Sequence, residues 1–287
     1  MRTVVNMCNF NPGLGNRIKA YVSMLGKGLQ VLTTNRADSY LFPEIRLASP
    51  EDLLKYRGID GWRLDVEPYE RFHTREYSSI DFLFARTPDY FIRKYSEIFR
   101  NITINAEVKA HAEVFLSEHP DFAGKIGIHI RSWKNHEERK SWLNMDLFHA
   151  ALASFPATKN IFLCTDSSAV EKQFRDRYGD RVLTLGKVPE HFIETGNTED
   201  VAINKAAFLD MYLLGQCNTI IGTYASTFTE CAWWFGGCKA RVLIPMSAEI
   251  PENFQRMLFQ EQFGRWKRLL SRVHPGRYCS FFRGHLS

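Results

Sequence analysis

From residue 125 to residue 245, short apolar runs and helix-patterned stretches alternate, and this alternation constrains the fold more than any other feature of the chain. The runs "KIGIHI", "NIFLCTD", "RVLTL", "TIIGT" and "ARVLIP" read as strands. Between them "MDLFHAALASF", "SSAVEKQFRDRYG", "NKAAFLDMYLLGQC" and "TFTECAWWFGG" carry apolar residues at helical spacing. Strands separated by helices pair in parallel, and a parallel sheet needs helices on both faces. The first part of the chain begins the same way, with a strand over 4–9, a turn "NPGLGN", a helix over 16–26 and a strand "LQVLTT". This is a βαβ unit. Residues 37–88, rich in Pro, Arg and aromatics, are expected to form loops and short helices. Two helices follow, "PDYFIRKYSEIFR" and "NAEVKAHAEVFLSEHP", the second stopped by Pro120.

With 287 residues the chain exceeds the size at which a single core stops growing. The expectation is an α/β protein with two Rossmann-type open sheets: an N-terminal domain over 1–120 and a C-terminal domain over 121–287, with a cleft between them. Ligands of such sheets gather at the carboxyl ends of the strands.

A formal charge of +5, with Lys and Arg scattered among 32 acidic residues, favours a small anionic ligand over duplex nucleic acid. The six cysteines form no CxxC pair and sit mostly in apolar segments, so they read as packed thiols of a reducing compartment. The first strand starts within three residues of Met1, with no charged and then apolar leader, and no stretch reaches the roughly 18 apolar residues of a membrane span. A cytoplasmic protein without a transmembrane segment is expected.

The stretch "IGIHIRSWKNH" ends a buried strand on a cation. Ile126, Ile128 and Ile130 share one face, and Gly127, His129 and Arg131 the other. A guanidinium at a strand end presents a fork that fits two diphosphate oxygens, whereas a surface pair with Glu137 or Glu138 is the plainer use of Arg131. His129 alone reads as a core histidine. The turn "GLGNR", Gly13 to Arg17, offers bare backbone and free N–H groups to an anion, and it is a poor dinucleotide fingerprint because Ile18 stands where the third glycine belongs. In "TYASTFTE", Thr223 and Ser226 stand between a strand and a helix start, and Thr227 with Glu230 fits a capping box. Asp166, ending the "FLCTD" strand, can be a helix cap or can bond ribose hydroxyls, and Asp210 lies in the helix before the next strand. No Asp-x-Asp is present to bind a metal-bridged diphosphate.

In order and spacing, "GIHIR", "FLCTDS" and "DMYLLGQCNTIIGTYASTFTECA" resemble the three motifs of the fucosyltransferase superfamily. That superfamily includes the nodulation and core α1,6-fucosyltransferases, and "GLGNR" is similar to the turn that opens many of its chains. The resemblance covers most of residues 120–245. It implies a GT-B-like architecture, with an acceptor side in the N-terminal domain and a donor side in the C-terminal one. It also implies an inverting, metal-independent glycosyltransferase with no cofactor, transferring fucose from GDP-fucose to a hydroxyl of a glycan acceptor. By motif position, Arg131 would hold the diphosphate, His129 and Asp210 the nucleoside, and Thr223 and Ser226 the phosphate oxygens, with Thr227 at the helix start on the donor side. Asp166 would lie beside the donor, and Gly13, Gly15, Asn16 and Arg17 would line its site. Read from the residues alone, a general base could come from His136, Glu137 or Glu138 if their loop folds over the cleft, or from the N-terminal domain, or proton loss could follow bond cleavage with no strong base. Ser132 departs from the core α1,6 pattern, which has a second arginine there. A relative using another nucleotide sugar, or a non-catalytic binder of one, are the alternative readings, and a nicotinamide-dependent oxidoreductase is a more distant one.

Overall fold

The computed structural model describes residues 2–7, 13–59, 80, 82, 87, 89–132, 143–186, 199–224 and 226–246. Apart from Met246 they belong to one compact unit, Met1–Pro245. They build two parallel sheets. In the first, β1 (Arg2–Asn6), β2 (Leu29–Thr33), β3 (Arg46–Leu47) and β4 (Arg57–Ile59) lie in the order β3-β2-β1-β4. In the second, β5 (Ile126–Ile130), β6 (Ile161–Thr165), β7 (Val182–Leu183), β8 (Thr219–Ile221) and β9 (Arg241–Leu243) lie in the order β7-β6-β5-β8-β9.

The strands and helices read from the alternating pattern are present. Residues 37–88 differ from the expectation: besides the short helices α2 (Arg36–Leu41) and α3 (Pro50–Lys55) they contribute β3 and β4. Both strands carry arginines and are exposed over most of their length, so no apolar run announces them. Ser49 and Asp52 cap α3 reciprocally, with Pro50 at its first position.

Every residue of β5 is buried, as a central parallel strand requires. Its Ile126, Ile128 and Ile130 pack on one side with Phe148 and Leu152 of α6 (Met145–Ala153) and with Val170 and Phe174 of α7 (Ser168–Tyr178). On the other side Gly127 and His129 stand in register with Phe162 and Cys164 of β6. That side belongs to a larger cluster built from α1 (Leu14–Gly26), α4 (Asp89–Asn101), α5 (Ala106–Glu118), α8 (Val201–Leu214) and α9 (Thr227–Phe235), which extends to Val4 and Val31 of the first sheet. One apolar core thus reaches from sheet to sheet. At its centre Trp234 of α9 stacks on Phe99 of α4, with ring centroids 5.5 Å apart.

Helix α1 is buried along almost its whole length, including Arg17 and Lys19. Charges without access to water must be paired. Arg17 donates through Nε to Asp38 of α2 (2.8 Å) and through Nη2 to Asn204 of α8 (2.6 Å). Lys19 meets Glu230 of α9 at 2.7 Å, and Glu230 also accepts from the Ile80 N–H (2.8 Å) and Trp234 Nε1 (3.1 Å). Burial pushes the Lys19 pKa down, while the charge and hydrogen bond of Glu230 push it back up. Removing one partner strands the other charge in the core. Glu230→Gln should therefore cost about 3–5 kcal/mol of unfolding free energy, whereas adding Lys19→Met to it, which removes the stranded cation and leaves an amide oxygen for the Ile80 N–H and Trp234 Nε1, should recover most of it, as read from chemical denaturation.

Candidate functional site

In the second sheet the chain runs β5, β6, β7 in one direction and then returns to lay β8 on the opposite side of β5. The order reverses between β5 and β8, and the crevice beyond such a reversal is where open α/β sheets take ligands. Arg131 leaves β5 at that point and Thr223 follows β8. Thr223 Oγ1 accepts from the Arg131 backbone N–H and donates to the His129 carbonyl, both at 2.9 Å, so one hydroxyl joins the two strand ends. On the other side of β5, Asp166 follows β6. Its Oδ1 accepts from the Ser132 N–H (2.7 Å) and its Oδ2 pairs with Arg131 Nη1 (2.5 Å). The Arg131 side chain remains 41% exposed, against 15% for Asp166.

Helix α9 opens on the same edge. Its N-cap is Ser226, whose side chain makes no capping bond. The capping box read from the sequence is not formed: Thr227 is the first helical residue, and Glu230 turns inward to Lys19. Asp166 is not a helix cap either, because Ser167 caps α7 by accepting from the Val170 N–H. Helix α1 also starts without a side-chain cap, after an exposed Gly13. Its first turn abuts α9. A β carbon on Gly15 would stand 2.8 Å from Thr227 Oγ1 and 2.9 Å from the Thr227 carbonyl carbon, a separation real atoms do not adopt. The Gly15 carbonyl also accepts from Cys231 Sγ at 3.5 Å. Two helix N-termini, each a source of partial positive charge, are thereby held side by side.

The remaining candidates occupy different surroundings. Asn16 keeps a buried Oδ1 without a hydrogen-bond partner among the described residues, whereas Arg17 faces away, bound to Asp38 and Asn204. The buried His129 ring contacts Thr229 Oγ1 through Nδ1 (2.8 Å) and stacks on Phe228 at 4.5 Å. Burial, assisted by the charge of Arg131, lowers its pKa to about 3, so it is a neutral ring. Asp210 lies on α8 against β6, where its main-chain carbonyl accepts from Cys164 Sγ (3.5 Å). Its Oδ1 is buried without a partner among the described residues, and burial, then the charge of Glu171, raises its pKa to about 8. His136, Glu137 and Glu138 lie outside the described residues. Sequence reading missed Lys19 and Asp38 as partners. The available signal was charge inside apolar helices, Arg17 and Lys19 in "RIKAYVSM" and Glu230 in "TFTECAWWF".

The profile of the family described as Nodulation protein Z (NodZ) matches residues 93–243, just over half of the chain, and contains all of the second sheet. The chain belongs to the NodZ family. It is 28% identical to nodulation protein Z of Sinorhizobium fredii over 144 residues, 44% of this chain and 43% of that protein. Nodulation protein Z of Bradyrhizobium diazoefficiens is 28% identical over 158 residues, 48% of this chain and 42% of that protein. The match thus spans less than half the length of these relatives. A crystal structure of NodZ alpha-1,6-fucosyltransferase soaked with GDP-fucose aligns with 82% of this chain and 92% of its own at 19% identity, with a TM-score of 0.45.

Two consequences are measurable. An unfolded aspartate titrates near about 4. With its value raised to about 8, folded Asp210 keeps a proton that the unfolded chain releases, so its contribution to stability diminishes as pH rises from about 4 to about 8. Asp210→Asn should flatten that slope, so that the denaturation midpoint falls less between pH 5 and pH 8 than in the parent. Gly15→Ala should force α1 and α9 apart and cost about 1–3 kcal/mol, measured in the same way.

Proposed function

We propose that this NodZ-family chain is a glycosyltransferase that moves fucose from GDP-fucose to a hydroxyl of a glycan, inverting the anomeric centre without a metal ion. The observation that carries the proposal is the meeting of a partly exposed guanidinium and an uncapped helix start at the reversal point of a parallel sheet. Family membership and the GDP-fucose soaked into the NodZ crystal are in keeping with it. In this reading the second sheet is the donor side and the first sheet the acceptor side of a GT-B-like enzyme.

The reaction breaks the bond between the anomeric carbon and a β-phosphate oxygen, which departs with the electron pair as GDP. The acceptor oxygen bonds to that carbon from the opposite face and gives up its proton. Charge therefore grows on the diphosphate as the barrier is crossed. Arg131 and the N–H groups of the first turn of α9, around Ser226 and Thr227, meet that charge from fixed positions, and Thr223 keeps Arg131 in place. Removing one such fixed donor typically lowers a rate by about 10²–10³-fold. Gly13, Gly15 and Asn16 bring the start of α1 to the same place, with Arg17 anchoring that helix from behind. His129 and Asp210 serve the nucleoside. As an anion, Asp210 would accept two N–H groups of guanine, so donor binding would release its proton. The acceptor proton passes to a base drawn from His136, Glu137 and Glu138. The four described cysteines are free, three of them buried, which accords with a reducing, cytoplasmic setting.

Ser132 favours a second reading, a related enzyme with another nucleotide-sugar donor, because a second arginine is missing from that position. A thermal-shift panel separates the two. GDP and GDP-fucose should raise the melting temperature, and UDP- and dTDP-sugars should not. Arg131→Ala should remove the shift and lower transfer at least about 10²-fold while the protein remains folded. A shift with UDP- or dTDP-sugars alone assigns the donor to the second reading, and binding without nucleotide release identifies a non-catalytic binder.

A further inference from the structure

We infer that Asp166 is a positioning residue for Arg131: it sets the plane and reach of the guanidinium at the donor diphosphate and does not itself bind the donor. The inference rests on the reading that Arg131 meets that diphosphate. Among the described residues Arg131 is gripped at two points. Thr223, following β8, accepts from its main-chain N–H, and Asp166, following β6, takes Nη1 at 2.5 Å. The grip on Asp166 is also fixed, because its second oxygen accepts from the Ser132 N–H at 2.7 Å. Both carboxylate oxygens are thus engaged, and each of the two neighbouring strand ends holds one part of the same arginine.

Electrostatics selects orientation as the purpose. A carboxylate placed beside a diphosphate-binding cation opposes the diphosphate, so Asp166 cannot serve by raising ground-state affinity. Attraction between an arginine and a phosphate tolerates many side-chain poses, whereas paired N–H···O bonds require the fork to face the oxygens. Reaction rates are sensitive to such placement, a 1 Å error costing about 10²-fold. The burial pattern agrees: the carboxylate is mostly shielded while the guanidinium tip reaches solvent. Direct bonding of Asp166 to ribose hydroxyls is the competing role, and it would require these bonds to be given up.

Four proteins test the assignment: the parent chain, Asp166→Asn, Arg131→Ala and the double variant, with folding verified by circular dichroism and transfer followed with radiolabelled GDP-fucose. Asp166→Asn should lower kcat about 10–100-fold. The Kd for GDP should stay within about threefold of the parent value, since the charge that attracts the diphosphate is retained. In the Arg131→Ala background the same change should cause no further loss. In nitrogen-15 spectra of the unliganded protein, slowly rotating Nη resonances of Arg131 should be present in the parent, and their rotation should be faster in Asp166→Asn. Equal losses in both backgrounds would assign Asp166 to the substrate and overturn the inference, as would an unchanged kcat or averaged Nη resonances in the parent. A parent chain that transfers no sugar contradicts the proposed function instead, and the spectra then decide the positioning role without it.

Discussion

The close approach of α1 and α9 governs the molecule. Their first turns meet where Gly15 leaves no room for a β carbon against Thr227, and one turn further on Lys19 and Glu230 form a buried ion pair across the same contact. Such a pair contributes little net stability, because desolvation consumes most of the Coulombic gain, but breaking it is costly. It therefore acts chiefly as a register device. Few other arrangements of the two helices bury both charges together. The consequence is that a helix following the first strand of the first sheet and a helix following β8 of the second present their amino ends side by side.

The site inherits its geometry from this contact and from sheet topology. The reversal of strand order leaves the ends of β5 and β8 diverging helices on opposite faces, and Thr223 joins those ends with two hydrogen bonds. Arg131 is delivered into the opening, where Asp166 sets its direction. The apolar cluster that reaches from Val4 to Phe162 keeps the two sheets in one frame. An anion bound at this edge would meet a fixed cation and two helix dipoles whose orientation was settled during folding, which is the condition for electrostatic preorganisation.

Much of the second sheet was legible in the sequence because central parallel strands are buried on both faces and therefore appear as apolar runs. Arg131 and Thr223 were legible for a related reason: a polar residue ending such a run stands at the carboxyl edge. What could not be read was pairing at a distance. Glu230 looked like the end of a capping box because Thr227 lies three residues before it, and its true partner is 211 residues away. Arg17 looked like part of a ligand turn because of its neighbours in sequence, yet its guanidinium joins Asp38 and Asn204. The strands β3 and β4 escaped notice because short exposed strands have no apolar signature. For Glu230 and Arg17 local pattern gave the element, and tertiary contact decided the side chain.

The most direct test of the account is an experimental structure of the chain with GDP bound. The diphosphate should lie within hydrogen-bonding distance of the Arg131 guanidinium and of the backbone N–H groups at the start of α9, with Asp166 still bound to Arg131. A nucleotide seated elsewhere, with Arg131 turned into solvent away from Ser226, would contradict it.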